Sequence, residues 1–405
     1  MNVLILGLNY APEPVGIGPY TTGMAEALVA AGHRVSVVCG KPYYPYWQVD
    51  PAFRGPRAHR SVEGGVNVVR LPIYVPRQPS GLRRLLYHAS FAVRAFPALL
   101  AEARRQRPDV VIAIAPSLLS AVTARAVAGL LGARLWLHVQ DFEVDAALAT
   151  GLLAKGGVVA KVAHAFETWS LAADRVSTIS PQMCARLTQR GVPPGRIIEF
   201  RNWAMLDDPA PPPGRGYREE WGIGRPHVAL YSGAIGNKQG IELIVEAARA
   251  LRHRQDLAFV ICGDGPQRAH LASLAAGLDN IQFRPLQPRE RLGELLGVAS
   301  LHLLPQIAGA ADLLLPSKLT NMLASGRPIV ATAAPGTGIA QEVAGCGLVV
   351  PSGDALGLAC AIERLVDDRA LRAAMGVRAG ERAEERWSRT RILGRFERQL
   401  CELAA

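Results

Sequence analysis

VLILGLNYAPEPVGIGPYTTGMAEALVAAGHRVSVVCG, residues 3–40, decides the fold class. It opens on an apolar, β-branched run from Val3 to Leu8 and passes through a Pro/Gly-rich turn. A helix-length segment from Thr21 to Ala31 follows, then a second apolar run from Arg34 to Cys39. Gly32 falls where a helix closes on a left-handed residue, so the stretch reads as strand, helix, strand. Both runs are continuously apolar rather than alternating, the pattern of parallel strands buried on both faces.

The same alternation extends outward. Strands are predicted at Val66–Leu71, Asp109–Ala115, Arg134–Val139, Val176–Ile179 and Ile197–Phe200, with helix-length segments between them. Residues 204–216, AMLDDPAPPPGRG, cannot sustain a helix or a central strand and read as a linker. Beyond it the alternation restarts, with strands at His227–Ser232, Leu257–Cys262, Ile281–Phe283, Leu301–Leu304 and Ile329–Ala331, and a helix at Ser317–Ala324. The expected fold is α/β, with two Rossmann-like doubly wound domains over residues 1–203 and 217–380. Two such domains facing each other leave a cleft at the carboxyl ends of their strands, where open α/β sheets bind ligands.

Composition excludes several classes. The chain has 405 residues, 49% of them hydrophobic and 20% charged, too apolar for a disordered state. Its most apolar region, Val110 to Val139, is broken by Pro116, Arg125 and Arg134, so no membrane-spanning helix is expected. The amino terminus carries no basic segment or small-residue cleavage site, which predicts a cytoplasmic protein. Cys39, Cys184, Cys262, Cys346, Cys360 and Cys401 stand singly, as free thiols do in a reducing compartment.

The net charge of +11 comes from 45 cationic residues, of which only Lys41, Lys155, Lys161, Lys238 and Lys318 are lysines. Against that arginine background a lysine is informative, because a compact ammonium suits a point contact to phosphate. The cations are spread along the chain without interleaved aromatics, which excludes nucleic acid as a partner. One segment concentrates them. Residues 77–107 carry seven arginines, among them Arg83, Arg84 and Arg94, and a single acid, Glu102, around the apolar run LLYHASFAVRAFPALL. Such a basic amphipathic element reads as a dock for an anionic membrane surface or a lipid-linked acceptor, and equally as a domain-packing helix with a solvated basic edge.

Four loops could carry chemistry. Gly16 and Gly18 precede the first helix and let backbone N–H groups approach a phosphate or sugar. The spacing is not G-x-G-x-x-G, and no acid ends the second strand, which disfavours a nicotinamide cofactor. SGAIGNKQG, residues 232–240, places Gly233, Gly236, Lys238 and Gly240 between a strand and a helix, and ICGDGP places Gly263 and Gly265 after the next strand. Backbone donors and one ammonium at a helix start make a diphosphate cradle, although ordinary turns use glycine in the same way. In ADLLLPSKLTNMLASGRPIVATAAPGTG, residues 311–338, Asp312 leads to a helix opened by Ser317, a natural N-cap, and Lys318, with Asn321 one turn on. A lysine in a first helical turn opposes the helix dipole, a conflict that an anion resolves. In the first domain, HVQDFEVDAA ends a predicted strand and offers His138, Asp141, Glu143 and Asp145, of which Asp141 is best placed to orient an acceptor hydroxyl or take a proton.

The segments PSKLTNMLASGRPIVAT, SGAIGNKQG and HVQDFEVDAA resemble those of family 4 glycosyltransferases of the GT-B type, most of all a WcaI-type subgroup of colanic acid biosynthesis. The resemblance spans nearly the whole chain. It implies retaining transfer of a sugar from a nucleotide diphosphate sugar donor to an acceptor, such as a polyprenyl-linked saccharide, in surface-polysaccharide assembly at the inner face of the cell membrane. It implies that Gly16 and Gly18 flank the donor phosphates or the acceptor, that Lys238 neutralises the diphosphate, and that Ser317 and Lys318 bind phosphate or ribose. It also implies a terminal helical segment, residues 381–405, that packs back on the first domain.

This chain departs from the family pattern in two places. Gly233-Ala234 stands where Gly-Arg is common, and the family's two glutamates eight positions apart fall near Asp312 and on Asn321. No Asp-x-Asp pair occurs anywhere, which removes the usual carboxylate arrangement for a metal-bridged diphosphate, so no metal or other cofactor is expected. Loop spacing does not specify the base, and UDP, GDP and dTDP sugars are equally compatible. Two other classes share these features: a nucleotide-sugar epimerase, which converts donor without an acceptor, and a non-catalytic scaffold, which binds donor and transfers nothing.

Overall fold

The computed structural model describes the chain apart from residues 15, 79–80, 116–117, 143–167, 207–214, 237–238 and 308–315. The chain forms two units, Met1–Asn202 with Ile392–Ala405, and Trp203–Arg391.

The first unit is an eight-stranded sheet. Its strands are β1 (Asn2–Gly7), β2 (Arg34–Gly40), β3 (His59–Glu63), β4 (Val66–Leu71), β5 (Val110–Ala115), β6 (Arg134–Val139), β7 (Arg175–Thr178) and β8 (Ile197–Glu199), in the order β3-β4-β2-β1-β5-β6-β7-β8. All neighbours are parallel except β3 on β4. The strand β5, VVIAIA, is buried along its whole length, as a central parallel strand must be. Helices over Gly18–Ala30, Gly81–Gln106 and Leu118–Leu131 follow β1, β4 and β5. Gly32 has φ +88°, so the first helix closes on the left-handed glycine that the sequence predicts. The order reverses between β1 and β5, and the loop carrying Gly16 leaves the carboxyl end of β1 at that switch point.

The second unit is a six-stranded, wholly parallel sheet. Its strands are β9 (His227–Ser232), β10 (Leu257–Cys262), β11 (Ile281–Arg284), β12 (Leu301–Leu304), β13 (Ile329–Thr332) and β14 (Gly347–Val350), ordered β11-β10-β9-β12-β13-β14. Its switch point lies between β9 and β12, so the Gly233 loop leaves β9 where a ligand would enter.

Two details differ from the sequence expectation. Of the expected linker, Ala204 and Leu206 pack on the second unit's core, and the Ala204 N–H donates to Trp387 O at 2.9 Å. The terminal segment expected over 381–405 is two helices, Arg369–Trp387 and Arg389–Ala404, parted by extended backbone at Ser388. Trp387 is buried in the second unit's core. Phe396 belongs to the first unit, where it stacks on Phe200 with ring centroids 4.4 Å apart and meets Trp136 edge-on at 5.0 Å.

Candidate active site

In the second unit the site is built on the loops after β9 and β10 and on the helix Ser317–Ala324. Gly233, Gly263 and Gly265 have φ of +140°, +154° and +156°. A Cβ on Gly263 would stand 1.9 Å from Gly233 O, and one on Gly265 would stand 2.1 Å from Ile235 O. Glycine at 263 and 265 is therefore dictated by backbone packed on backbone. The Gly233 N–H donates to Cys262 O at 3.0 Å and the Ile235 N–H to Asp264 O at 2.9 Å, so the two loops continue the parallel ladder beyond the sheet and hold each other.

Against this frame lies Lys318. Its side chain is half-buried, its Cδ would be 3.5 Å from a Cβ placed on Gly233, and its Nζ donates to the Tyr231 hydroxyl at 3.1 Å. The ammonium also stands 4.2 Å from the centre of the Tyr231 ring. The Tyr231 hydroxyl in turn donates to Ala234 O at 2.6 Å. Among the described residues no carboxylate pairs with Lys318, and burial pulls its pKa down to about 7. A cation desolvated in this way attracts an anion.

Ser317 is not the N-cap that the sequence suggests. Pro316 occupies that position and Ser317 is the first helical residue, exposed, leaving its hydroxyl for an external partner. Asn321 is engaged, its Oδ1 accepting from the Met205 N–H at 2.7 Å. Gly240 adopts φ +62°. Lys238 and Asp312 lie outside the described residues.

In the first unit the loop after β1 wraps around a carboxylate that the sequence reading did not single out. Glu13 is buried, its Oε1 accepts from the N–H groups of Tyr43 and Tyr44, both at 3.0 Å, and its Oε2 accepts from Asn9 Nδ2 at 2.7 Å. Burial pushes its pKa up against those hydrogen bonds. Gly16, at φ +76°, and Gly18 leave room for this packing, since a Cβ on either would stand 3.1 Å from the Tyr44 ring or from Glu13 Cβ. Buried Arg70 anchors the same loop by donating to Ala11 O at 2.6 Å. Beside Glu13 opens a cavity of about 320 Å³ lined by Tyr43, Tyr44, Tyr46, Asp50 and Arg54 among others, with Tyr46 83% exposed. The signal for Glu13 was an acid between two prolines, in APEP.

At the end of β6 the expected residues separate. His138 is 3% exposed and closed inside a network. Gln140 and Asn202 pair reciprocally at 2.9 Å, which orients the Gln140 amide to donate to His138 Nε2, also at 2.9 Å. His138 Nδ1 then donates to Ser177 Oγ at 2.8 Å, and burial depresses its pKa to about 3, so the ring is neutral with both nitrogens engaged. Asp141 is exposed at the strand's carboxyl end, its Oδ1 accepting from the Phe142 N–H at 2.8 Å. Glu143 and Asp145 lie outside the described residues.

Arg83, Arg84 and Arg94 are exposed on the helix Gly81–Gln106, beside exposed Leu85, Leu86, Val93 and Phe96. The segment's one acid is spent internally: Glu102 is buried between Arg60 and Arg105, and their hydrogen bonds outweigh its desolvation to hold the carboxyl below its usual range. Among the described residues no helix is long and apolar enough to cross a membrane.

Comparison with known proteins agrees across both units. Residues 15–203 match a glycosyl transferase 4-like domain, and residues 226–368 match the glycosyl transferases group 1 domain. The chain is 45% identical over 350 residues to the colanic acid biosynthesis glycosyl transferase WcaI of Escherichia coli (strain K12), covering 84% of this chain and 85% of that protein. The fold matches sucrose-phosphate synthase from Thermosynechococcus elongatus with TM-score 0.70 at 19% identity, over 99% of both chains. It matches Anabaena HepE, in complex with UDP and glucose, with TM-score 0.68 at 15% identity, over 99% of this chain and all of that one. Two sheets, parallel but for one edge strand, a glycosyltransferase domain on each, and a relative aligned along most of its length place this chain in the glycosyltransferases of the GT-B fold, as a 4-like domain followed by a group 1 domain.

Proposed function

We propose that this chain moves a glycosyl group from a nucleoside-diphosphate sugar to a saccharide acceptor, with retention at the anomeric carbon and without a metal ion, in the assembly of a surface polysaccharide. The observation that carries the donor half of this reading is Lys318, a half-buried ammonium with no described carboxylate partner at the switch point of a parallel sheet. As the anomeric C–O bond lengthens, charge builds on the leaving β-phosphate. A fixed ammonium and the amino end of the Ser317–Ala324 helix stabilise that charge more than they stabilise the ground state. Lys238 supplies a second cation in this reading, and the absence of any Asp-x-Asp pair supports a diphosphate held by lysine and backbone rather than through a metal.

The acceptor takes the first unit. Tyrosine faces of the kind that line the 320 Å³ cavity suit a sugar ring, and Asp50 and Arg54 suit its hydroxyls or an acidic substituent. Asp141 orients the attacking hydroxyl, whose proton passes to the departing phosphate on the same face of the sugar. His138, buried and neutral, is a positioning residue that fixes the end of β6. The cationic, partly apolar helix Gly81–Gln106 brings the enzyme to an anionic cytoplasmic membrane face where a lipid-linked acceptor resides.

The test is turnover of candidate nucleotide sugars with polyprenyl-linked and free saccharide acceptors, followed by NMR of the product. The proposal expects the donor's anomeric configuration in the product and an unchanged rate in chelator. An inverted product, or activity restored only by a divalent ion, overturns those parts of it. Donor conversion without any acceptor overturns transfer itself.

A further inference from the structure

At the opposite end of the first sheet from the Gly16 loop, His33 lies between Gly32 and the start of β2. Its Nε2 stands 3.2 Å from Glu397 Oε1 on the terminal helix, and Cys401 Sγ stands 3.2 Å from the same oxygen. The three ligand atoms all lie within 4.8 Å of one another. Glu397 and Cys401 are four apart on one helical face, so the helix holds two of them in register. His33 Nδ1 accepts from the Met1 ammonium at 3.4 Å, so Nε2 faces the Glu397 carboxylate as the ring's N–H. Ligands bound to one zinc ion at roughly 2.0–2.3 Å are separated by roughly 3.3–3.7 Å in a tetrahedron, close to the two 3.2 Å spacings to Glu397.

We propose that His33, Glu397 and Cys401 form a zinc site, with water as fourth ligand, that fastens the terminal helix to the amino end of β2 in the first unit. On binding, the Cys401 thiol and the hydrogen-bonded His33–Met1 pair each release one proton to solvent, the Met1 ammonium becoming an amine that accepts from Nδ1–H, and the divalent charge offsets the two anions brought together. At the amino end of β2, the site lies away from the Lys41–Tyr44 stretch at that strand's carboxyl end, so its role is structural. It is independent of the metal-free transfer chemistry proposed above.

The experiment uses the full chain stripped with chelator and titrated with Zn²⁺, and in parallel with Co²⁺. The expected result is one zinc per chain, a raised melting temperature, protection of Cys401 from a thiol reagent, and a thiolate-to-cobalt charge-transfer band. Cys401→Ser, at an exposed position that tolerates serine, and His33→Ala each weaken zinc binding about tenfold or more and abolish the band or its intensity, while Cys360→Ser, at another exposed thiol, changes nothing. Zinc binding that is absent, or that is unchanged in both Cys401→Ser and His33→Ala, overturns the site. So does a cobalt spectrum without a thiolate band.

Discussion

At the residue scale the decisive group is Lys318. An ammonium held at a pKa of about 7, against 10.5 for an ordinary lysine, marks a site that sacrifices stability for binding. Between those two values the unfolded chain holds a proton that the folded one lacks, so the destabilisation is complete below about pH 7 and fades as pH rises toward 10.5. Lys318→Met, which keeps the stem, is therefore expected to stabilise the ligand-free protein by about 1 kcal/mol at pH 6. Denaturant melts at pH 6 and pH 9 check this, with the larger gain at pH 6. Affinity for a nucleotide sugar runs the other way. It is greatest while Lys318 is charged, and the dissociation constant is expected to climb by up to about tenfold per pH unit above pH 7, until the pKa of the complex is reached. Calorimetry across pH 6 to 9 measures that slope, and a flat profile counts against contact between Lys318 and the diphosphate.

The lysine was legible in sequence because a cation in a first helical turn contradicts the dipole. Glu13 was not, because two of its three partners are the backbone N–H groups of Tyr43 and Tyr44, some thirty positions away, and a backbone donor leaves no trace in composition. His138 shows a different limit. Strand alternation indicates which face a residue takes but not how deep it lies, and the Gln140–Asn202 pair that seals this ring is set by tertiary structure.

At the element scale, the glycines of the second unit were legible as tight loops, and the structure supplies their reason. Gly263→Ala would drive a methyl to within 1.9 Å of Gly233 O at a φ of +154°. The expected loss is about 3 kcal/mol or more, read as a lowered melting temperature, with donor affinity falling as well because the Gly233 loop is displaced. Strand β3, HRSVE, escaped the sequence reading because it is an antiparallel edge strand with mostly polar, largely exposed side chains and no apolar run to announce it. The basic helix was legible from charge alone, but the cancellation of Glu102 by Arg60 and Arg105 was not. With that acid neutralised, combined Arg83→Glu, Arg84→Glu and Arg94→Glu substitutions are expected to abolish sedimentation with phosphatidylglycerol vesicles at low salt while leaving the melting temperature within about 2 °C. Undiminished sedimentation would remove this helix from the membrane contact.

At the scale of the whole molecule, two doubly wound sheets were readable because buried parallel strands announce themselves as continuous apolar runs, and LAFVIC and VVIAIA are both wholly buried. The assignment of the final helix to the first unit was available from resemblance alone, since its anchor, Phe396 on Phe200 and Trp136, joins residues that no local pattern connects. The claim on which the function turns is that the second unit holds a nucleoside diphosphate through Lys318. The most direct measurement is calorimetric titration of UDP, GDP, dTDP, CDP and ADP into the wild type and Lys318→Met, with and without Mg²⁺. The account predicts binding of one base, unchanged by Mg²⁺ and weakened by a factor of about 100 or more in the variant. No binding by any nucleotide, or equal binding by both proteins, would contradict it.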